Sequence, residues 1–499
     1  MRYIIYLLLL INCLSGKAQT TPDLSQQSMQ LTLNEAIQMA KLQSLSSFRH
    51  KNMYLASYWD FRSFKASQLP GLRLNAKPID YSHSLSLEYI SDGSYRYVGR
   101  ETLSSSLGLA IQQNVTFTGG ELSVTSDLTR LQQKRDGKNS IEYNSVPVSI
   151  RLTQPLNGYN KFKWQSKLKP LEFEQAKKLF LSEMEALSKH TVQIFFEAVA
   201  AQIDLKIAST NLANADTLYN IGRGRFEIGT VTQDELLDLE LTYLNAKMSK
   251  TMAEVTLKQS RNKLNSFLGF DKDLIIMPLI PDEIPGLKVN ADRALEMAKE
   301  NNPEILALEA QLIEANRKVA FTRSTSGLSA ALSANIGINK QSDEMNKLYR
   351  PPFNDDRGLG ISLNAPIIDW GTRRGQIQMA KSNRQVTEAV VKQELIDFEQ
   401  DVIMDILQFN LQEEQVMISA KADTVAQLGY NVTKQRFMID KVDVIKLNAA
   451  RNSLDNARRK YIIALSDFWR GYYAIREITL FDFERNESLI KSLDYLLEN

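Results

Sequence analysis

The chain is one unit written twice, and this constrains the fold more than any other feature. Tyr219-Asn-Ile-Gly-Arg-Gly-Arg-Phe-Glu-Ile-Gly229 reads against Tyr430-Asn-Val-Thr-Lys-Gln-Arg-Phe-Met-Ile-Asp440. The tyrosines lie 211 residues apart. The same spacing pairs Leu236 with Leu447, Asn245-Ala246 with Asn456-Ala457, and Pro155 with Pro366. Earlier in each half, Glu35-Ala-Ile-Gln-Met-Ala40 pairs with Arg293-Ala-Leu-Glu-Met-Ala298 at a spacing of 258. The first half therefore carries 47 extra residues between Ala40 and Pro155. A sequence that repeats on this scale specifies two copies of one structural unit.

Each unit opens with a predicted helix, Leu33 to about Ser67 and about Ala291 to Thr322, with Asn290 as N-cap of the second. Segments of period two follow. Leu107, Leu109 and Ile111 lead into Val115 and Phe117. Gly119-Gly120 turns the chain, and Leu122 and Val124 continue. Val146, Val148, Ile150 and Leu152 form another run, with Pro147 near its start as an obstacle. In the second unit the runs are Leu328 to Ile336 and Leu359 to Leu363. One apolar face at period two predicts strands, and lipid-facing barrel strands carry the same weak signal. The charged stretch Gln132 to Ser145 reads as an exposed loop.

Very long helices come next. Lys161 to about Tyr219 holds only Pro170, near its start, and Arg373 to about Gln435 holds no proline. About 60 residues span roughly 90 Å, a rod no compact domain needs. Each rod turns near Gly229 or Asp440 and returns as a further helix, about Thr232–Phe267 and Val442–Ala474. Their mixed charge suits helices packed side by side in coiled-coil fashion with one face wet.

Met1, Arg2, the apolar run Tyr3 to Leu14, and Gly16 and Ala18 before Gln19 predict a signal peptide over residues 1–18. Its removal takes Arg2 and Lys17, lowering the formal charge from +2 to 0, so nothing favours nucleic acid. Cys13, the only cysteine, leaves with it. No other apolar run is long enough to span a bilayer as a helix, so a membrane crossing requires a closed β-barrel. Four to six strands cannot close one, because a barrel needs about eight. Several copies must share it: three would supply 12 strands, or 18 if the extra hairpin joins.

With these parts in order, residues 30–480 resemble the TolC-like outer-membrane efflux family. The resemblance rests on Leu31-Thr-Leu-Asn-Glu-Ala-Ile37, on Ala365-Pro-Ile-Ile-Asp-Trp-Gly371 running on to Lys381, and on Arg225-Phe-Glu-Ile-Gly229 with Asp234 to Ala246. It implies a mainly α fold with a membrane β-barrel: two structural repeats of strands plus very long helices, forming a trimeric α/β barrel. The corresponding organisation is a signal peptide 1–18, a first repeat 19–268 with strands about 71–155, and a linker 269–289. A second repeat 290–480 follows, with strands about 326–366, and a tail 481–499. The implied protein is a duct in a tripartite efflux system. Its partners are two further copies of itself, a periplasmic adaptor (membrane fusion) protein, an inner-membrane pump and outer-membrane lipid. The resemblance also implies that Ile228, Gly229 and Thr230, with Ile439, Asp440 and Lys441, form helix tips that meet the adaptor. Glu235, Asp238, Asp443 and Lys446 then become candidates for the periplasmic aperture. The chain departs from the family at Lys446 and Ala449, which stand where aspartates ring the entrance, and at Phe437, which replaces a tyrosine.

Other readings compete. The acids near the tips also read as solvated helix faces. Tyr81, Tyr89, Tyr95, Tyr97 and Phe117 read as interfacial girdles or as packing in a soluble β-domain. Trp370 reads as a packing or interface residue. Polypeptide cargo, as in type I protein secretion, is the alternative within the family, and a different class of protein, a soluble periplasmic coiled-coil adaptor or scaffold, would also use long rods. An enzyme finds no support. His50, His83 and His190 are far apart with no metal spacing, and there is no phosphate loop or nucleophile elbow. No catalytic residue, cofactor or metal is expected.

Overall fold

The computed structural model describes residues 28–89, 93–135, 138–270, 274–281, 284–439 and 441–490. The predicted signal peptide and Asp440 lie outside the described residues.

The first unit runs β1 (Ser28–Leu31), α1 (Leu33–Gln43), α2 (Leu45–Ser67), β2 (Gly71–Tyr89), β3 (Tyr95–Val115), β4 (Gly120–Arg135), β5 (Lys138–Pro155), α3 (Lys161–Glu227) and α4 (Gln233–Leu268). After β6 (Ile275–Pro278), the second unit runs α5 (Ala291–Asn301), α6 (Pro303–Thr325), β7 (Ser329–Ser342), β8 (Asn354–Asn364), α7 (Thr372–Met438) and α8 (Val444–Thr479). Two short strands, β9 (Phe481–Asp482) and β10 (Glu487–Ser488), follow α8. The duplication holds in length as well as order: α1 and α5 have 11 residues each, α2 and α6 have 23, α3 and α7 have 67, and α4 and α8 have 36. At 1.5 Å per residue the longer rods reach about 100 Å.

The opening helix of each unit is broken, where the sequence predicts a continuous one. Ser44 is extended, ends α1 with its N–H on the Ala40 carbonyl, and accepts from the Ser47 N–H to start α2. Asn302 does the same between α5 and α6, with Pro303 at the first turn of the new helix. Asn290 caps α5 by accepting from the Arg293 N–H at 3.0 Å.

The six long strands form one antiparallel meander, β2-β3-β4-β5-β7-β8. Within the stretch Gln132 to Ser145, residues 132–135 and 138–145 are strand rather than loop: β4 and β5 stay in register to the pair Arg135 and Lys138. Lys134 and Arg135 fall on opposite faces of β4, and this is why they read as solvated. Register shifts fall between Lys77 and Asp80 in β2 and between Ser145 and Val148 in β5. Pro78 and Pro147 sit inside these irregularities, where a missing N–H costs no ladder bond.

The principal core lies partway along the rods. There Leu33, Ile37 and Ala40 of α1 and Ala294 and Ala298 of α5 pack with Phe195 of α3, Leu264 of α4, Phe409 of α7 and Phe468 of α8. Nearer the sheet, α2 lies on α3 through an aromatic stack, Phe61 on Phe173 at 4.7 Å between centroids. Among the rods, α3 packs on α4, α7 on α8, and α3 on α8. The arc is thus α4-α3-α8-α7, with α4 and α7 on its flanks.

Candidate functional site

The candidate functional residues fall at the helix tips, along the seam between the two hairpins, at a mid-rod ionic centre and on the sheet faces.

At the first tip α3 ends at Glu227, and Gly229 takes φ +77°, a left-handed conformation open to glycine. The Thr230 N–H reaches back to the Arg225 carbonyl at 2.9 Å. Thr232 then starts α4, its N–H donating to the Glu235 carboxylate at 2.9 Å and its hydroxyl at 3.0 Å. Glu235 is therefore engaged in a helix cap, whereas Asp238 is exposed on the following turn. The second tip repeats the turn: the Lys441 N–H reaches the Arg436 carbonyl at 2.9 Å. Asp443 caps α8 by accepting from the Lys446 N–H at 2.7 Å. Ile228 and Ile439 are exposed at the two turns. Just behind the first tip Gly222 admits α4: a Cβ there would lie 2.4 Å from Leu239 Cδ1.

Along the seam, polar ties not visible in the sequence join the two units. Arg459 Nε of α8 meets Asp204 of α3 at 2.7 Å. Asn211 donates to Asp455 at 3.0 Å, and Asn214 to the Tyr430 hydroxyl at 3.1 Å. Tyr430 packs with Leu447 and Leu454, and Phe437 packs against that cluster. Position 437 thus does apolar work.

At mid-rod a buried ionic network completes the frame. Glu185 of α3 accepts from Lys41 Nζ at 2.7 Å and from Arg476 Nε at 2.8 Å, and Arg476 also meets Asp482 at 2.6 Å. Burial pushes the Tyr473 phenol up to about 12, partly offset by Arg476. A cleft of about 770 Å³ opens here, and two of its polar lining residues, Arg476 and Asp482, are paired with each other.

The sheet sorts its residues by face. Leu74, Leu109, Val124, Ile150, Ile336 and Leu359 lie on one face of successive strands by register or alternation. Arg73, Ser106, Thr125, Ser149, Asn335 and Gly358 lie on the other. Tyr81, Tyr89, Tyr95 and Tyr97 share the apolar face and are exposed, and Phe117 is exposed at the β3–β4 turn. Trp370, at φ +52° between β8 and α7, is 93% exposed. The histidines remain apart: His50 lies 3.6 Å from Glu183, His190 lies edge-on to Phe267, and His83 is on β2. Among the described residues no cluster fit for a metal occurs, and no helix is long and apolar enough to cross a membrane.

An open sheet with one apolar face, continuous with paired rods of about 100 Å, defines a protomer of an α/β-barrel channel. The chain belongs to the outer membrane efflux protein family, whose profile matches residues 120–270 and 294–479. It is 22% identical over 318 residues to the alkaline protease secretion protein AprF of Pseudomonas aeruginosa, covering 61% of this chain and 62% of that one. It is 20% identical over 355 residues to the outer membrane protein TolC of Vibrio cholerae, covering 68% and 80%. Among solved structures it resembles the CmeC outer membrane channel of Campylobacter jejuni, with a TM-score of 0.65 and 14% identity over 93% of this chain and 88% of that one. It also resembles VceC of Vibrio cholerae, with a TM-score of 0.60 and 14% identity over 90% and 95%. At such identities the structures establish the likeness of fold. The protein is an outer-membrane channel component with a periplasmic helical domain, and it is not an enzyme.

Proposed function

We propose that three copies of this chain close into a continuous duct from the periplasm through the outer membrane. The observation that carries this is the surface of the two flanking rods. On α7, Met404, Leu411, Ile418, Val425 and Val432 recur every seven residues and are exposed. On α4, Leu241, Met248 and Val255 do the same, with Leu237 and Leu244 four residues ahead of the first two. A seven-residue apolar repeat is a coiled-coil seam awaiting a partner helix. The two seams sit at opposite ends of the arc, so α4 of one copy meets α7 of the next. The free edges of β2 and β8 match in the same sense, and lipid tolerates no open edge.

The duct serves a tripartite system after export directed by residues 1–18. An inner-membrane pump delivers cargo, and a periplasmic adaptor docks on the tips at Ile228-Gly229-Thr230 and Ile439-Asp440-Lys441. Asp238, Asp443 and Lys446 flank the aperture, and Glu235 serves it indirectly by fixing the start of α4. Small-molecule efflux is the first reading of the cargo. Polypeptide secretion is the second, supported by the name of the alkaline protease secretion protein among the relatives.

The test is the mass of the purified particle in detergent together with single-channel recording in planar bilayers. A conducting particle of three chains is expected. A monomer without conductance would sink the proposal.

A further inference from the structure

Matching the two units element by element locates the inserted 47 residues. Up to the ends of α2 and α6, Ser67 and Thr325, the spacing is 258. From the starts of α3 and α7, Lys161 and Thr372, it is 211. The extra chain lies between, where the second unit has two strands and the first has four. By order, β2 corresponds to β7 and β5 to β8, so the insertion is the hairpin β3–β4.

We infer that this hairpin supplies two additional wall strands per copy, so that the trimer closes an 18-stranded barrel by joining β8 of one copy to β2 of the next. The inference rests on the trimeric duct proposed above.

The faces carry it first. A hairpin folded into the lumen as a plug, or lying above the membrane, has no reason to share the sidedness of its neighbours. In β3 and β4 the sidedness is shared: Leu109 and Ile111 stand opposite Leu74 and Leu72 of β2, and Val124 and Leu122 stand opposite Ile150 and Leu152 of β5. The irregularity in β2 between Lys77 and Asp80 keeps this phase, since Leu72 and Leu74 before it and Tyr81 and Leu85 after it all oppose odd-numbered residues of β3. On the polar face Glu88 of β2 pairs with Arg100 of β3 at 3.4 Å and with Arg135 of β4, across one strand. The hairpin is bound into the wall on both faces.

Width is the second argument. Strands about 4.8 Å apart and tilted about 40° occupy about 6 Å of circumference each. Twelve make a barrel about 24 Å across and eighteen one about 36 Å across. Three copies of four rods make a ring of twelve helices, about 36 Å across their axes at about 9–10 Å spacing. The larger barrel continues the bore of the tunnel, and the smaller would narrow it. On the polar face the hairpin presents Ser104, Ser106, Ser123 and Thr125 along its middle, and its Arg100 and Arg135 are paired with Glu88. Cargo size is then limited at the tunnel and its aperture.

Cysteine pairs test this cleanly, because Cys13 is the only native cysteine. Chains carrying Leu74→Cys with Ile361→Cys, and others with Leu74→Cys with Ile150→Cys, are oxidised in outer membranes and run on denaturing gels. The 18-stranded barrel predicts covalent dimers and trimers from the first pair and no bond in the second. A bond between positions 74 and 150 would place β2 directly beside β5 and overturn the inference, leaving twelve wall strands. A monomer in detergent would instead remove the trimeric duct itself.

Discussion

Arg476 of α8 and Glu185 of α3 meet at 2.8 Å across 291 residues of chain. Each comes from a different unit, and both side chains are nearly sealed from solvent, at 14% and 5% exposure. Arg476 also holds Asp482, so one guanidinium satisfies two buried carboxylates. Arg476→Met removes the cation these carboxylates share, leaving Glu185 with Lys41 alone and Asp482 without a cation. The expected cost is about 3–5 kcal/mol, read as a fall in the denaturation midpoint by circular dichroism. An unchanged midpoint would mean that Lys41 and water satisfy the carboxylates alone.

The same centre predicts an alkaline limit. Tyr473 is raised from 10.0 to about 12 by burial, and Tyr472 is raised as well. The folded state holds these protons more tightly than the unfolded chain. Their contribution is complete below about pH 10 and is lost as pH rises through 12. Ultraviolet titration should show two phenols ionising late, together with helix loss, and Tyr473→Phe should reduce the pH dependence of stability in that window.

The seam on α7 is testable with one charge. Leu411→Glu places a carboxylate in the proposed contact between copies, at a position exposed in the single chain. The expected particle is monomeric in detergent with unchanged helix content. Retention of the full trimer would move the contact elsewhere on the rod.

At the first tip, the Gly229 turn depends on a left-handed residue with open space around it. Gly229→Ala therefore meets no atom and costs only backbone strain, about 1–2 kcal/mol. Faster hydrogen exchange at the Thr230 amide would report it, with the global midpoint unchanged.

Trp370 projects from the junction of barrel and rod. Placed at the lipid interface, it should be quenched by brominated lipid in reconstituted vesicles, and the quenched fraction should disappear in Trp370→Phe.

The sequence made the architecture legible because the duplication fixed both the order and the lengths of elements. Proline-free runs marked the rods, and Gly229 marked a tip. It was least informative where one residue carried two meanings. Lys134 and Arg135 lie on opposite faces of β4, and polarity alone does not distinguish a water-filled lumen from a loop. Glu235 reads as an aperture acid until its position three residues after Thr232 is taken as a cap. The ties Asp204–Arg459 and Asn214–Tyr430 left no trace, because partners more than 200 residues apart share no local pattern.

The inserted hairpin also says how such a wall can be edited. Adding one strand would reverse the direction of all later ones and deliver the next rod to the wrong side of the membrane. Shortening a strand by one residue would turn its lipid-facing side chains inward. Adding an up-and-down pair does neither, so inheritance can widen this exit only in steps of two strands per gene copy, each multiplied by the number of copies in the ring.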